Sequence, residues 1–236
     1  MDIGFTEEQE LLRESARRFL ENECTTGFVR QRMAEPAAVG DEFWQKLAEQ
    51  GWLGTIYPEE VGGSGLGLVD LVVLMEEMGR AVMPGPFLST VLLGGGAIAE
   101  AGSPLQRRQW LPQIIAGRAK AALAWTEPNL RWDAAFVGLA AHETAAGFTL
   151  SGNKLFVGDA HLADVIVIAA RTRDGSTMEG GVSLSWRQKV LRASPLQYCR
   201  RSTRPESCAR SGSTMFCSPP MHCSAKSIRA RRRCRA

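Results

Sequence analysis

A chain of 236 residues with a formal charge of +3 is long enough for one large or two small hydrophobic cores, and its overall balance favours neither a polyanion nor a cationic partner. That average conceals two unlike parts: residues 183–236 carry 13 Lys+Arg against the single acid Glu206, whereas residues 1–182 carry 15 basic and 24 acidic residues. The acidic opening Met1-Asp-Ile-Gly-Phe-Thr-Glu-Glu excludes a secretory leader, no apolar run approaches the ~18 residues of a membrane span, and Cys24 alone in the first part suits a reducing compartment, so a cytoplasmic protein is expected.

Thr6 followed by Gln9 forms a capping-box start, with Glu7 and Glu8 placed well for the helix dipole. Leu11, Leu12, Ala16, Phe19 and Leu20 then recur at helical spacing and predict an amphipathic helix over about 7–22. Asp41 caps a second helix whose Phe43, Trp44, Leu47 and Ala48 share a face, and Gly51 ends it. A glycine-rich loop, Tyr57 to Gly67, leads into a nearly all-apolar helix, Leu68 to Met78, of the kind that sits in the middle of a bundle. Pro86 to Ala101 reads as another buried helix, in which Gly94-Gly95-Gly96 either break the helix or admit a close neighbour. Ser103-Pro104 opens a helix that runs past Trp110 to about Ile115 and stops at Gly117, with a kink expected at Pro112.

From Lys120 the period changes. Ala121–Trp125, Ala134–Ala141, Gly147–Leu150, Leu155–Val157 and Asp164–Thr172 are short runs bounded by Gly, Asp or Asn, which is a strand pattern. Gly152-Asn153 turns the chain ahead of Leu155–Val157, and Val165–Ile168 is the clearest buried strand. Helices followed by strands, rather than alternating with them, argue against a doubly wound sheet. The expected class is α+β: an all-α helical bundle over 1–118, then an incomplete antiparallel, barrel-like β domain over 119–183. Beyond Ser183 no period persists. Arg, Ser and Cys make up 26 of the last 54 residues, a mixture that GC-rich coding DNA yields when read out of frame. Residues 184–236 are therefore expected to be a non-native or disordered basic tail, with nucleic-acid binding through its arginines as the lesser alternative.

Neither nucleotide-loop pattern can be placed on the glycines at 62–67, so a structural turn is expected there. Of His142, His161 and His222, only the last has cysteine neighbours, and Cys217 and Cys223 are too far apart for a usual zinc pair. No metal site and no Ser-His-acid arrangement is expected. Trp125-Thr-Glu-Pro128 reads as a strand end running into a turn. There the Thr126 hydroxyl is exposed to a ligand, and the Glu127 carboxylate sits on a backbone amide in preference to acting as a general base. Together with Leu155-Phe-Val157 it could wall a flat cofactor.

These motifs resemble the N-terminal and middle domains of the acyl-CoA dehydrogenase family. The resemblance rests on Phe5-Thr-Glu-Glu-Gln-x-x-Leu-Arg13, Trp52 to Pro58, Glu59-Glu-Val-Gly-Gly-Ser-Gly-Leu-Gly67 and Met75-Glu-Glu-Met-Gly79. It continues through Leu111-Pro-x-Ile114, Trp125-Thr-Glu-Pro128, Gly152-Asn-Lys-Leu-Phe-Val157 and Ala163-Asp164, over roughly 1–183. It implies FAD as cofactor, an acyl-CoA substrate dehydrogenated at its α and β carbons, and a homo- or hetero-oligomer. Trp125 and Thr126 would contact the flavin, and Phe156, Val157 and Gly158 would cover the face opposite the substrate. Three departures stand out: Asn129-Leu-Arg-Trp-Asp133 replaces small residues and Gly-Ser-Asp, Gly158 replaces a frequent Thr, and the family's C-terminal domain with its catalytic base has no counterpart. The resemblance thus implies a truncated chain, inactive alone and with no catalytic residue of its own, or else a non-catalytic flavin- or acyl-CoA-binding subunit of a hetero-oligomer.

Overall fold

The computed structural model describes residues 4–34, 41–144, 147–172, 182–188 and 223–224. The chain divides into two compact units, one of residues 1–122 with 162–165 and the other of residues 123–161 with 166–236. No helix among the described residues is long and apolar enough to cross a membrane.

In the first unit α1 (Glu7–Glu23) starts as its sequence predicts: Gln9 N donates to Thr6 Oγ1 at 3.3 Å and Thr6 N donates to the Gln9 side chain at 3.1 Å. Ala16 and Leu20 are its buried residues, while Leu11 faces outward. Helix α2 (Thr26–Ala34) follows, and α3 (Asp41–Glu49) buries Phe43, Trp44 and Leu47 before Gly51 ends it in the left-handed region at φ +76°. The glycine-rich loop is a turn, as expected. The amides of Gly62, Gly63, Ser64, Gly65 and Leu66 all donate to backbone carbonyls of the preceding segment, which leaves them nothing to offer a phosphate.

Helix α4 (Leu68–Arg80) departs from its expected all-round burial. Leu71, Val73, Leu74 and Met78 face inward, but Leu68, Val69 and Val72 are each more than half exposed. Its orientation is set by a charge rather than by apolar content. Glu77 points inward with its carboxylate taking Arg17 in a two-pronged contact (2.7 and 3.1 Å) and Arg80 Nε at 2.7 Å. Hydrogen bonding from Arg17, reinforced by Arg80, overcomes desolvation and holds the Glu77 carboxyl down at about 2.

The stretch predicted as one helix over 86–101 is a π-helix, Leu88–Gly95, continued by α5 (Gly96–Ala101). The glycines explain the wide turn, because a Cβ on Gly94 would lie 2.7 Å from that of Ala121, and one on Gly95 would lie 1.9 Å from the Tyr57 hydroxyl. That hydroxyl donates to Val91 O at 2.6 Å, and Thr90 Oγ1 both donates to Ala121 O and accepts from Ala121 N, each at 3.2 Å. Helix α6 (Pro104–Ile115) runs through Pro112 as one helix, burying Trp110, Leu111 and Ile114.

The sheet comprises β1 (Ala121–Ala124), β2 (Ala140–Thr144), β3 (Gly147–Ser151), β4 (Val165–Arg171), β5 (Val182–Gln188) and β6 (Cys223–Ser224). Its order is β1-β4-β2-β3-β6, with β5 also paired to β4. It is mixed, which corrects the antiparallel, barrel-like expectation. β2 and β3 form an antiparallel hairpin (Ala141↔Leu150, His142↔Thr149), but β4 lies parallel to β2 because the chain crosses over between β3 and β4. The core of this unit gathers Ala124, Leu139, Ala141, Leu150, Ile168 and Ala170, with Phe148, Val157 and Ile166 packed against it. Strand β5 carries on past the expected break at Ser183 to Gln188, and Cys223–Ser224 pair with β3. The rest of 184–236 lies outside the described residues, as do the side chains of the Cys217, His222 and Cys223 group.

Because the folded-state carboxyl of Glu77 is depressed, its stabilisation is complete above the ordinary value of 4.5 and is lost as pH falls towards about 2. Glu77→Gln is expected to cost about 2 kcal/mol at neutral pH, with the gap to wild type closing in thermal melts taken through that acidic window.

Candidate functional site

The strand end at Trp125 organises the second unit. β1 finishes at Ala124, and the next three residues are held by Lys154 and Leu155 from further along the chain. Lys154 Nζ donates to Trp125 O at 3.0 Å and to Glu127 Oε1 at 2.7 Å, and Leu155 N donates to Thr126 O at 2.8 Å. The Glu127 carboxylate also accepts from the amides of Leu139 (3.0 Å, to Oε1) and Gly138 (2.9 Å, to Oε2). The two charged side chains are 1 % and 10 % exposed. Burial would raise the Glu127 carboxyl, but the Lys154 hydrogen bond and the two amides outweigh it and hold the group below the ordinary value. A buried carboxylate that holds a lysine and two amides is an anchor for the backbone, as its sequence context predicted, and its depressed basicity makes it a poor group for proton abstraction.

A second charge braces the neighbouring turn. Arg171, the last residue of β4, donates from Nε to Val137 O at 2.8 Å and from Nη2 to Ala135 O at 2.9 Å and Ala134 O at 3.4 Å. Asp133 Oδ1 accepts from Ala135 N at 2.8 Å, and Ala134–Phe136 close into a 3₁₀ turn. These side-chain contacts consume the backbone groups that a strand would need, so the strand expected over 134–141 begins only at Ala140. Asn129 donates to Phe136 O at 2.8 Å and accepts from Arg131 N at 2.9 Å, while the Trp125 indole donates to Trp132 O at 3.0 Å. Trp132, set on this braced loop, is 75 % exposed.

The two segments that carry the five residues predicted to face the flavin are joined through Leu155 N to Thr126 O and Lys154 Nζ to Trp125 O, but not in the form expected. Thr126 retains only 6 % of its surface, against the expected open hydroxyl. Its carbonyl is covered by Leu155, which explains the burial. Leu155–Val157 are not a strand. Phe156 takes the left-handed conformation at φ +52°, which stops a ladder, and its ring is 74 % exposed. Val157 packs against the sheet core, Gly158 is exposed and Trp125 is half-buried. Outward Phe156 and inward Val157 therefore do different work. Sequence reasoning missed Lys154 and Arg171. The one signal for Lys154 was its place directly ahead of the apolar run Leu155-Phe-Val157, where an inward lysine requires a buried acid.

Gly152 enters this loop at φ +145°, and a Cβ there would approach Leu139 Cγ at 3.0 Å. Gly152→Ala is expected to destabilise the unit by about 2 kcal/mol, read as a lowered midpoint in thermal or urea denaturation.

With this geometry in hand, likeness to known proteins is specific. Residues 6–118 match the acyl-CoA dehydrogenase N-terminal domain family. Over 177 residues the chain is 32 % identical to mitochondrial isovaleryl-CoA dehydrogenase of Bos taurus, a match that covers 72 % of this chain and 40 % of that protein. Among solved structures, the FAD complex of PigA superposes with a TM-score of 0.68 at 26 % identity, covering 80 % of this chain and 50 % of that one. The ChsE4-ChsE5 complex from Mycobacterium tuberculosis gives a TM-score of 0.65 at 27 % identity, covering 78 % and 47 %. The chain thus spans half or less of the length of these relatives. By its ordered motifs, its helical unit and the sheet that follows, the chain belongs to the acyl-CoA dehydrogenase family.

Proposed function

We propose that this chain supplies one side of the flavin site of an FAD-dependent acyl-CoA dehydrogenase, acting on an acyl-CoA thioester. The observation that carries the reading is Phe156, a flat ring left exposed on a backbone that is fixed behind it. A left-handed conformation at a bulky residue costs about 1–3 kcal/mol and persists where function requires it. FAD, when bound, supplies the hydride-accepting ring. Phe156 and Gly158 cover one face of that ring. Trp125 and Thr126 border its edge. The residues suit the ring end of the cofactor. At the phosphate end, Asn129 and Asp133 are already engaged with the loop's own backbone, which suits the departure of Asn129–Asp133 from the family pattern.

The α-proton of the thioester needs a carboxylate elsewhere, because Glu127 is occupied by Lys154 and two amides. The 236-residue chain is accordingly read as inactive by itself, with its base contributed by further residues, either of a longer chain or of a partner subunit. The partner version is the second reading, in which the chain is a non-catalytic flavin- or acyl-CoA-binding subunit. The likeness to a complex of two different proteins favours it. Homo-oligomerisation remains the expectation of the first reading.

Two measurements test this. The purified chain titrated with FAD should quench flavin fluorescence to a stoichiometric end point, yet show no sustained dye reduction with acyl-CoA thioesters. Robust turnover by this chain alone overturns the inactivity, and failure to take up FAD overturns the flavin reading. Phe156→Gly should keep full thermal stability, since it relieves a strained conformation and removes an exposed ring, while FAD affinity falls about tenfold.

A further inference from the structure

We propose that Lys154 and Glu127 are a positioning pair, whose buried contact fixes the backbones of Trp125–Thr126 and Leu155–Phe156 in the arrangement that receives the flavin ring; this rests on the flavin reading above. The pair joins three separate pieces of chain. Lys154 Nζ reaches the main chain at Trp125 O (3.0 Å) as well as Glu127 Oε1 (2.7 Å), so one ammonium ties the strand end through both backbone and side chain. Glu127 in turn holds the amides of Gly138 and Leu139 at the entrance to β2. One residue after Lys154, the Leu155 N–H to Thr126 O bond of 2.8 Å completes the connection. Phe156 is the next residue.

Two arguments distinguish positioning from filling. Burying opposite charges costs desolvation that an apolar pair of similar volume would avoid, so a site that needed only bulk would be better served by apolar side chains. What a hydrogen-bonded charge pair provides is direction. The Lys154 ammonium and the Glu127 carboxylate each hold more than one partner at a set distance, and the backbones attached to those partners are fixed with them. The second argument is the conformation of Phe156. Its ring is 74 % exposed, so its own contacts cannot hold φ at +52°. A strained residue stays strained only when its surroundings over-determine it, and the residues preceding Phe156 are pinned by the pair and by Thr126. Neither Lys154 nor Glu127 is a catalytic residue, because both are buried behind the wall.

The test uses the full 236-residue chain with Lys154→Met, Glu127→Gln and the double variant. Thermal midpoint, FAD dissociation constant, visible circular dichroism of the bound flavin and amide exchange at Leu155 and Phe156 are read for each. Each single variant strands a buried partner and should melt several degrees lower. The double variant strands no charge and should recover most of that midpoint. Its flavin affinity should nevertheless stay about tenfold weaker, as when a hydrogen-bonding partner behind a ligand site is lost, with an altered flavin dichroism and faster exchange at Leu155 and Phe156. A double variant that regains wild-type affinity, dichroism and exchange together with stability overturns the proposal. If the wild-type chain takes up no FAD, the flavin reading falls. The exchange then decides the pair on its own: unchanged protection in the double variant refutes it, and faster exchange upholds it. Should the double variant not fold, Lys154→Met alone keeps both carboxylate oxygens for Leu139 and Gly138 and removes only the ammonium: unchanged protection at Leu155 and Phe156 then refutes the proposal, and faster exchange there with the rest of the unit still protected upholds it.

Discussion

The second unit depends on one carboxylate. Glu127 sits where a strand has just ended and the chain must turn, and it collects a lysine and two amides from segments that are distant in sequence. A buried polar group left without partners is costly, so the four groups can be desolvated only together. The strand end, the entrance to β2 and the loop after β3 are consequently held by one shared set of hydrogen bonds. Arg171 does the complementary job for carbonyls, gathering those of Ala134, Ala135 and Val137. Between them, an acid that takes N–H groups and a base that feeds C=O groups shape an irregular stretch which backbone pairing alone could not satisfy.

The helical unit uses the same device differently. Glu77 is also an inward carboxylate, but its partners are two arginines at the surface rather than main-chain groups. It orients one helix against another and leaves the backbone to its own hydrogen bonds. The other fixed point of that unit is the contact of Tyr57 and Thr90 with the π-helix and Ala121, where glycine is required because neighbours approach to within the space of a Cβ. One unit is thus registered by charge and by close approach, the other by satisfaction of its backbone.

What could be read from the sequence was local. The Thr6–Gln9 cap, the span of α1, the role of the glycine loop as a turn and the anchoring of Glu127 on backbone amides all follow from short-range chemistry, and the structure shows each of them. What escaped was decided over long separations. The parallel pairing of β2 and β4 leaves no mark on periodicity, since a strand alternates in the same way whichever direction its neighbour runs. An apolar run such as Leu68 to Met78 does not announce which side will be covered, and here Glu77 chose. Leu155–Val157 has strand composition, but an inward Lys154 before it and a left-handed Phe156 within it override that preference. The ordered motifs held in common with a family were legible too, but the contacts of Lys154 with Trp125 and Glu127, and of Arg171 with the 134–137 turn, became visible only once the chain was folded.

The exposure of Phe156 has a consequence for the life of the protein before any ligand arrives. An aromatic ring open to water, with Trp132 also exposed in the same unit, is adhesive surface held out on rigid backbone. Water cannot be shed by collapsing the loop inward, because the interior behind it is already filled and hydrogen-bonded. Phe156 and Trp132 therefore remain adhesive surface on the free chain, and they bear on its colloidal behaviour as well as on what it can bind.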